Sequence, residues 1–142
     1  MEILGSTEEL TKTDFEKDLG IWITSSLKPF LHCDKAAAAA TRILGMLKRT
    51  FTKFSKEFFY LPETYVRPQL EYCIQLWCPY LARDIDTLEN VQRQATKLVN
   101  GLVKLPYESR LRELELYSLY CRWQRGDLIA AYRLLHGYYD VD

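Results

Sequence analysis

Residues 42–56 read RILGMLKRTFTKFSK, with five basic side chains, no acidic one, and apolar side chains recurring at every third or fourth position. That spacing is the period of an α-helix. At 100° per residue, Lys35, Arg42, Arg49, Lys53 and Lys56 fall within about 60° of one another. Ala40, Leu44, Leu47, Phe51 and Phe54 gather on the opposite side, about 150° away. The segment reads as a helix with its back in a core and a basic stripe toward solvent.

Upstream, the alanine tract at 36–40 adds helix propensity and small side chains for close packing. The first helix is thus expected over Asp34 to Phe54, about 30 Å long. Downstream, Pro62 suits the first turn of a second helix that continues through YVRPQLEYCIQLW. Pro68 should kink or split it, and CPY at 78–80 should end it. A third helix is expected from Asp84, read as its cap, to Asn100, with Gly101 as the stop. A short fourth helix follows Pro106 and carries Leu111 and Leu114. The last runs from Ser118 to His136, with Gly137 as its C-terminal cap. Its apolar side chains occupy nearly two faces: Cys121, Leu128, Tyr132 and Leu135 on one, Leu119, Trp123, Ala130 and Leu134 on the other. Either it lies in the middle of a bundle or one face expects a partner.

Residues 1–24 differ. MEILG, a polar stretch, and then DLGIWIT predict a short two-stranded element, because Ile21, Trp22, Ile23 and Thr24 favour extended backbone. Ser25, Ser26 and Pro29 close it. The expected fold is therefore mainly α: a bundle of about four to five helices with a short N-terminal β-hairpin, divided as 1–30 and 31–142.

The 142 residues make one domain-sized unit, 48% hydrophobic and 27% charged, with only six glycines and five prolines. That composition supports a buried core and argues against disorder. No run of about 18 apolar residues offers a membrane span, and no charged-then-apolar leader opens the chain. Cys33, Cys73, Cys78 and Cys121 sit in helical, apolar surroundings, which suits buried free thiols in a reducing compartment. The expected location is intracellular, in nucleus or cytoplasm. Nineteen acidic residues balance nineteen basic ones, so affinity for nucleic acid must come from local asymmetry.

Catalytic constellations are scarce. His32 and His136 are the two histidines, about a hundred residues apart in the chain. Zinc ligation by Cys73, Cys78, His32 and Cys33 lacks recognisable spacing. No glycine-rich phosphate loop occurs. No catalytic residue, metal or cofactor is expected. The basic stripe is the strongest positive signal, set against an ordinary solvated helix face. Aromatic side chains do not interleave with it, which favours contact with phosphates over base stacking. Trp77, with Tyr72 and Tyr80 nearby, reads as a core anchor more readily than as an aromatic platform.

Five blocks in order, EKDLGIWITSSLKP, RILGMLKRTF, YVRPQLEYCIQLWCPYLARDIDTLENVQRQATKLVNGL, LPYESRLRELELYSL and RGDLIAAYRLLHG, resemble the region after the catalytic palm in reverse transcriptases of non-LTR (LINE-type) retrotransposons. The resemblance covers nearly the whole chain. It implies a turn at Leu19 and Gly20 close to the primer grip, followed by a helical thumb that holds the template–primer duplex. On that basis Gly20, Lys35, Arg42, Lys48, Arg49, Lys53 and Lys56 are the expected nucleic-acid contacts. Arg67, Pro68, Glu71, Tyr72, Cys73 and Trp77 are read as packing and kink residues. The tyrosine-x-aspartate-aspartate pair of the palm occurs nowhere; the nearest candidate is Asp140 in YYDVD. Without such carboxylates the two divalent ions of polymerisation have no holder. The resemblance thus implies a non-catalytic C-terminal piece of an RNA-directed DNA polymerase. Its implied partners are an RNA–DNA or duplex backbone and the absent palm. A helical protein-interaction module without a nucleic-acid role is the alternative.

Overall fold

A computed structural model describes residues 12–137. Among them the chain is mainly helical, with a two-stranded antiparallel hairpin at its N-terminal side. The MEILG segment and Asp140 lie outside the described residues.

The hairpin pairs β1, Phe15–Asp18, with β2, Ile21–Thr24. Leu19 and Gly20 join them with positive φ at both positions (44° and 86°), the backbone that a two-residue hairpin loop of matching twist demands. The loop length fixes the register: Phe15 opposite Thr24, Lys17 opposite Trp22, Asp18 opposite Ile21. Two strands alone are marginal. Here the support comes from β2, whose Ile21 and Thr24 are buried against the helices.

Helix α1 is Phe30–Thr50, one turn earlier at each end than the sequence periodicity predicts. Its start is set by Pro29, whose φ of −75° and ψ of −8° already lie in the helical region. Its end is set by tertiary structure. Phe51 turns to extended backbone, and Phe54 enters the core at 4% exposure. There it pairs in a parallel bridge with Val99 and accepts the Asn100 N–H at 2.9 Å. Thr50, Phe51 and Thr52 hold the helix weakly enough for that pull to win.

A single 310 turn at Lys56–Phe59 leads into α2, Tyr60–Glu71. Pro62 sits in its first turn, where a missing N–H costs nothing. Pro68 occupies its last turn, and the chain breaks just after, at Cys73 (φ 51°). The one-turn helix α3, Ile74–Trp77, completes the segment that the sequence reads as one kinked helix. Helix α4 spans Ala82–Lys97 and α5 spans Tyr107–Glu113. Asp84 is not the α4 cap. Leu81 holds that position, and Asp84 lies buried within the first turn at 1% exposure. Helix α6, Leu119–Leu135, matches its prediction closely: the Ser118 side chain accepts the Cys121 N–H at 3.3 Å, and Gly137 follows with φ 65°.

The core lies where α1 meets α2 and α4. Ala36, Ala37 and Ala40 let α1 approach closely, while Leu44, Leu47, Val66, Leu70, Leu88, Val91 and Val99 fill the space. Each such aliphatic side chain contributes about 1.5–3 kcal/mol through removal from water. Leu119 and Trp123 fix the first half of α6 to this core. The opposite face, with Cys121, Leu128 and Leu135, is exposed. Of the four free cysteines, Cys33 alone is buried, so the expectation of four buried thiols fails at Cys73, Cys78 and Cys121.

Candidate nucleic-acid interface

Helix α1 presents Lys35, Arg42 and Arg49 on one exposed face. They are a heptad apart, so successive cations stand about 10 Å from each other along the axis. Lys53 and Lys56 do not extend this row. They follow the end of α1, Lys53 in the connecting segment and Lys56 at the start of the 310 turn. Lys48 and Arg49 occupy the last turn of α1, where cations also complement the helix dipole. Lys48 points about 100° away from Arg49.

Lys56 lies 3.6 Å from Glu113, both side chains largely in water, a pair worth little. Among the described residues, Lys17, Lys35, Arg42, Lys48, Arg49 and Lys53 have no carboxylate within ion-pair distance. Three other guanidiniums of the bundle are engaged by carboxylates, whereas Arg83, Arg112, Arg125 and Arg133 have no such partner among the described residues. Arg67 pairs with Glu63, Arg93 with Asp86, and Arg122 grips Glu71 through two bonds of 2.7 and 3.2 Å.

Three of the sequence-predicted contacts converge. Gly20, Lys35 and Arg42 line an open groove of about 560 Å³ between the hairpin, α1 and α2. The same groove holds three side chains that the sequence reading did not assign to a site: Lys17, Trp22 and Gln69. The Lys17 and Lys35 ammonium groups stand 5.9 and 5.3 Å from the centroid of the Trp22 ring, within cation–π range. Tyr72, read from sequence as a packing residue, lines the groove too and donates its hydroxyl to the Leu19 carbonyl at 3.0 Å. A Cβ on Gly20 would stand 3.3 Å from the Tyr72 ring. Glycine therefore serves here both the positive φ and the close approach of the hairpin tip to α2.

His32 fastens the hairpin from below. Its Nδ1 accepts the Trp22 backbone N–H at 3.3 Å, and its ring packs edge-on against Trp77, centroids 4.3 Å apart. Accepting at Nδ1 requires the neutral ring with its proton on Nε2. Burial lowers the His32 pKa and so favours that neutral form. Trp77 is a core anchor at 6% exposure, its indole N–H donating to the Tyr72 carbonyl at 2.6 Å.

The arrangement offers fixed positive charge beside an aromatic ring. Among the described residues no three His, Cys, Asp or Glu side chains converge as metal ligands. Burial, with Asp84 and Asp34 adding to it, pushes the Cys33 thiol up to about 12, far from thiolate reactivity at neutral pH. No helix among the described residues is long and apolar enough to cross a membrane. No protein-family model, curated protein or solved structure matches the chain.

Proposed function

We propose that the chain is a non-catalytic, thumb-like piece of a retrotransposon-derived RNA-directed DNA polymerase, with a residual capacity for sequence-independent binding of a duplex backbone. One observation carries this reading. Lys35, Arg42 and Arg49 form an exposed row on α1, free of carboxylate partners, and two of them line the groove with Lys17 and Gly20. Cations spaced along a rigid rod suit phosphates on a strand, and they carry no base preference. The block resemblance in the sequence supports the same reading. The test is duplex affinity for the wild type and for Lys35→Glu/Arg42→Glu/Arg49→Glu. Wild-type affinity should fall steeply with salt, and the triple variant should lose it. Retained affinity in that variant removes the proposal.

A second reading rests on α6. Leu128 and Leu135 are 72% and 81% exposed on the face turned from the core, a pattern that marks association surfaces. A helical interaction module would self-associate or bind another protein through that face. Sedimentation across a wide concentration range discriminates: a monomer throughout, unchanged by Leu128→Glu/Leu135→Glu, counts against self-association.

A further inference from the structure

We propose that the groove seats one unpaired nucleotide, its base stacked on Trp22 and its phosphate held by Lys17, Lys35 or Arg42. This deepens the backbone-binding reading and rests on it. The row on α1 supplies charge but no aromatic surface, which is the composition of a phosphate contact alone. The hairpin changes that composition. Its two-residue turn sets Lys17 directly opposite Trp22, and the packing of β2 on α1 brings Lys35 to the same ring.

Of the three tryptophans, Trp77 and Trp123 are buried in the core, while Trp22 is half-open at the groove wall. A volume of about 560 Å³ falls in the range of clefts that take single small ligands. It accommodates one nucleotide, and a duplex can only lie across its mouth. Gln69 lines the opposite side, exposed and with no hydrogen bond of its own, so its amide is available to a base edge.

The two ammonium groups that occupy the Trp22 ring are on long, flexible stems. A stacking base takes the place of one of them, and the displaced ammonium remains beside that nucleotide's phosphate. Stacking on an aromatic ring beside a cationic track is the physics of single-strand recognition, and it tolerates any base. An acidic peptide would satisfy the cations while leaving the indole face unused, so the nucleotide is the better fit.

The test compares a short blunt duplex with the same duplex carrying a few unpaired nucleotides, using the full chain. The extension should tighten binding by about tenfold and quench tryptophan fluorescence, which at this depth reports Trp22. Trp22→Leu keeps an apolar side chain without the ring and should bring the ratio of extended to blunt affinity close to one. Trp22→Phe, which keeps a ring, should restore much of it. An extension that adds nothing to wild-type affinity overturns the inference and leaves the backbone reading standing. So does a Trp22→Leu variant that keeps the full increment, or displacement of the extended duplex by poly-glutamate as readily as by single-stranded DNA. Affinity for the unpaired strand without any for the blunt duplex supports the nucleotide seat and removes the duplex reading. Absence of binding to every probe overturns both.

Discussion

His32 couples the hairpin to α1 through a bond that only the neutral ring can accept. The unfolded imidazole titrates at its ordinary value of 6.5, and burial lowers the folded one. As acid is added, the unfolded chain therefore takes up the proton first. The contribution of His32 to stability is full above about pH 6.5 and is lost as pH falls from there toward the folded pKa. Thermal midpoints taken between about pH 7.5 and about pH 5.5 should decline, and the decline should be smaller in His32→Asn, which keeps an acceptor but does not titrate in that range. Leu19 offers a second test at this scale. A leucine at φ 44° is in a region that asparagine tolerates better, and its side chain is 83% exposed. Leu19→Asn should raise stability by about 0.5–1 kcal/mol, read from urea unfolding, with the Tyr72 bond to the Leu19 carbonyl intact. The sequence suggests the turn at Leu19–Gly20 only through the family resemblance, and its polar run before Asp18 hides the strand Phe15–Asp18 and with it the pairing of Lys17 and Trp22. It does not show that Lys35 meets the same ring, because that contact joins residues through packing rather than spacing. Asp84 misleads for a related reason: an aspartate near a helix start is usually a cap, but here the chain before it, Leu81, reaches the capping position first.

Helices α4, α5 and α6 are held together at one carboxylate. Glu89, 4% exposed on α4, accepts the Tyr107 hydroxyl from α5 and the Leu119 backbone N–H at 2.9 Å. It thereby satisfies one of the unpaired donors at the start of α6 and places negative charge at the positive end of that helix. Burial, and then the Glu89 carboxylate, raise the Tyr107 pKa, so the phenol stays protonated as a donor. Gln92 completes the cluster with bonds of 3.1 Å to the Tyr107 hydroxyl and 3.0 Å to the Tyr117 carbonyl. Glu89→Ala should cost about 3 kcal/mol, because it strands the buried Leu119 N–H and the half-buried Tyr107 hydroxyl. Glu89→Gln, which keeps one acceptor, should cost about half of that. Both are read from denaturant midpoints at unchanged slope. From sequence, Glu89 is one more charge on an amphipathic helix, since its partners lie 18 and 30 residues away. The elements themselves are more legible than this junction. The 3.6 period and the stops at Gly101 and Gly137 locate α4 and α6 within a few residues. The end of α1 escapes because Phe54, apolar and in phase, is drawn off the helix to meet Val99.

Across the whole molecule the charges cancel, nineteen against nineteen, so net charge draws no polyanion in. What remains is placement. Carboxylates engage Arg67, Arg93 and Arg122. Among the described residues, Lys17, Lys35, Arg42, Lys48 and Arg49 on the hairpin and α1 stand without one, as do Arg83, Arg112, Arg125 and Arg133 on α4, α5 and α6. Only cations of the hairpin and α1 line the groove. Counting cations from the sequence reading of the interface, Lys35, Arg42, Lys48, Arg49, Lys53 and Lys56 make six. The fold keeps Lys35, Arg42 and Arg49 in one row and adds Lys17 from across the groove, while Lys48 faces elsewhere and Lys53 and Lys56 leave the helix. These two counts predict different salt dependences. Each phosphate neutralised on a B-form duplex adds about −0.9 to the slope of log affinity against log salt. Four contacts give a slope of about −3.6 and six give about −5.4. Titration of a duplex at several salt concentrations should return the shallower value. Arg42→Gln should reduce its magnitude by about one contact, and Lys53→Gln and Lys56→Gln should leave it where it was. A slope that responds to Lys53 and Lys56 as strongly as to Arg42 would mean that the polyanion follows the sequence stripe past the end of α1. The groove would then not be where it binds.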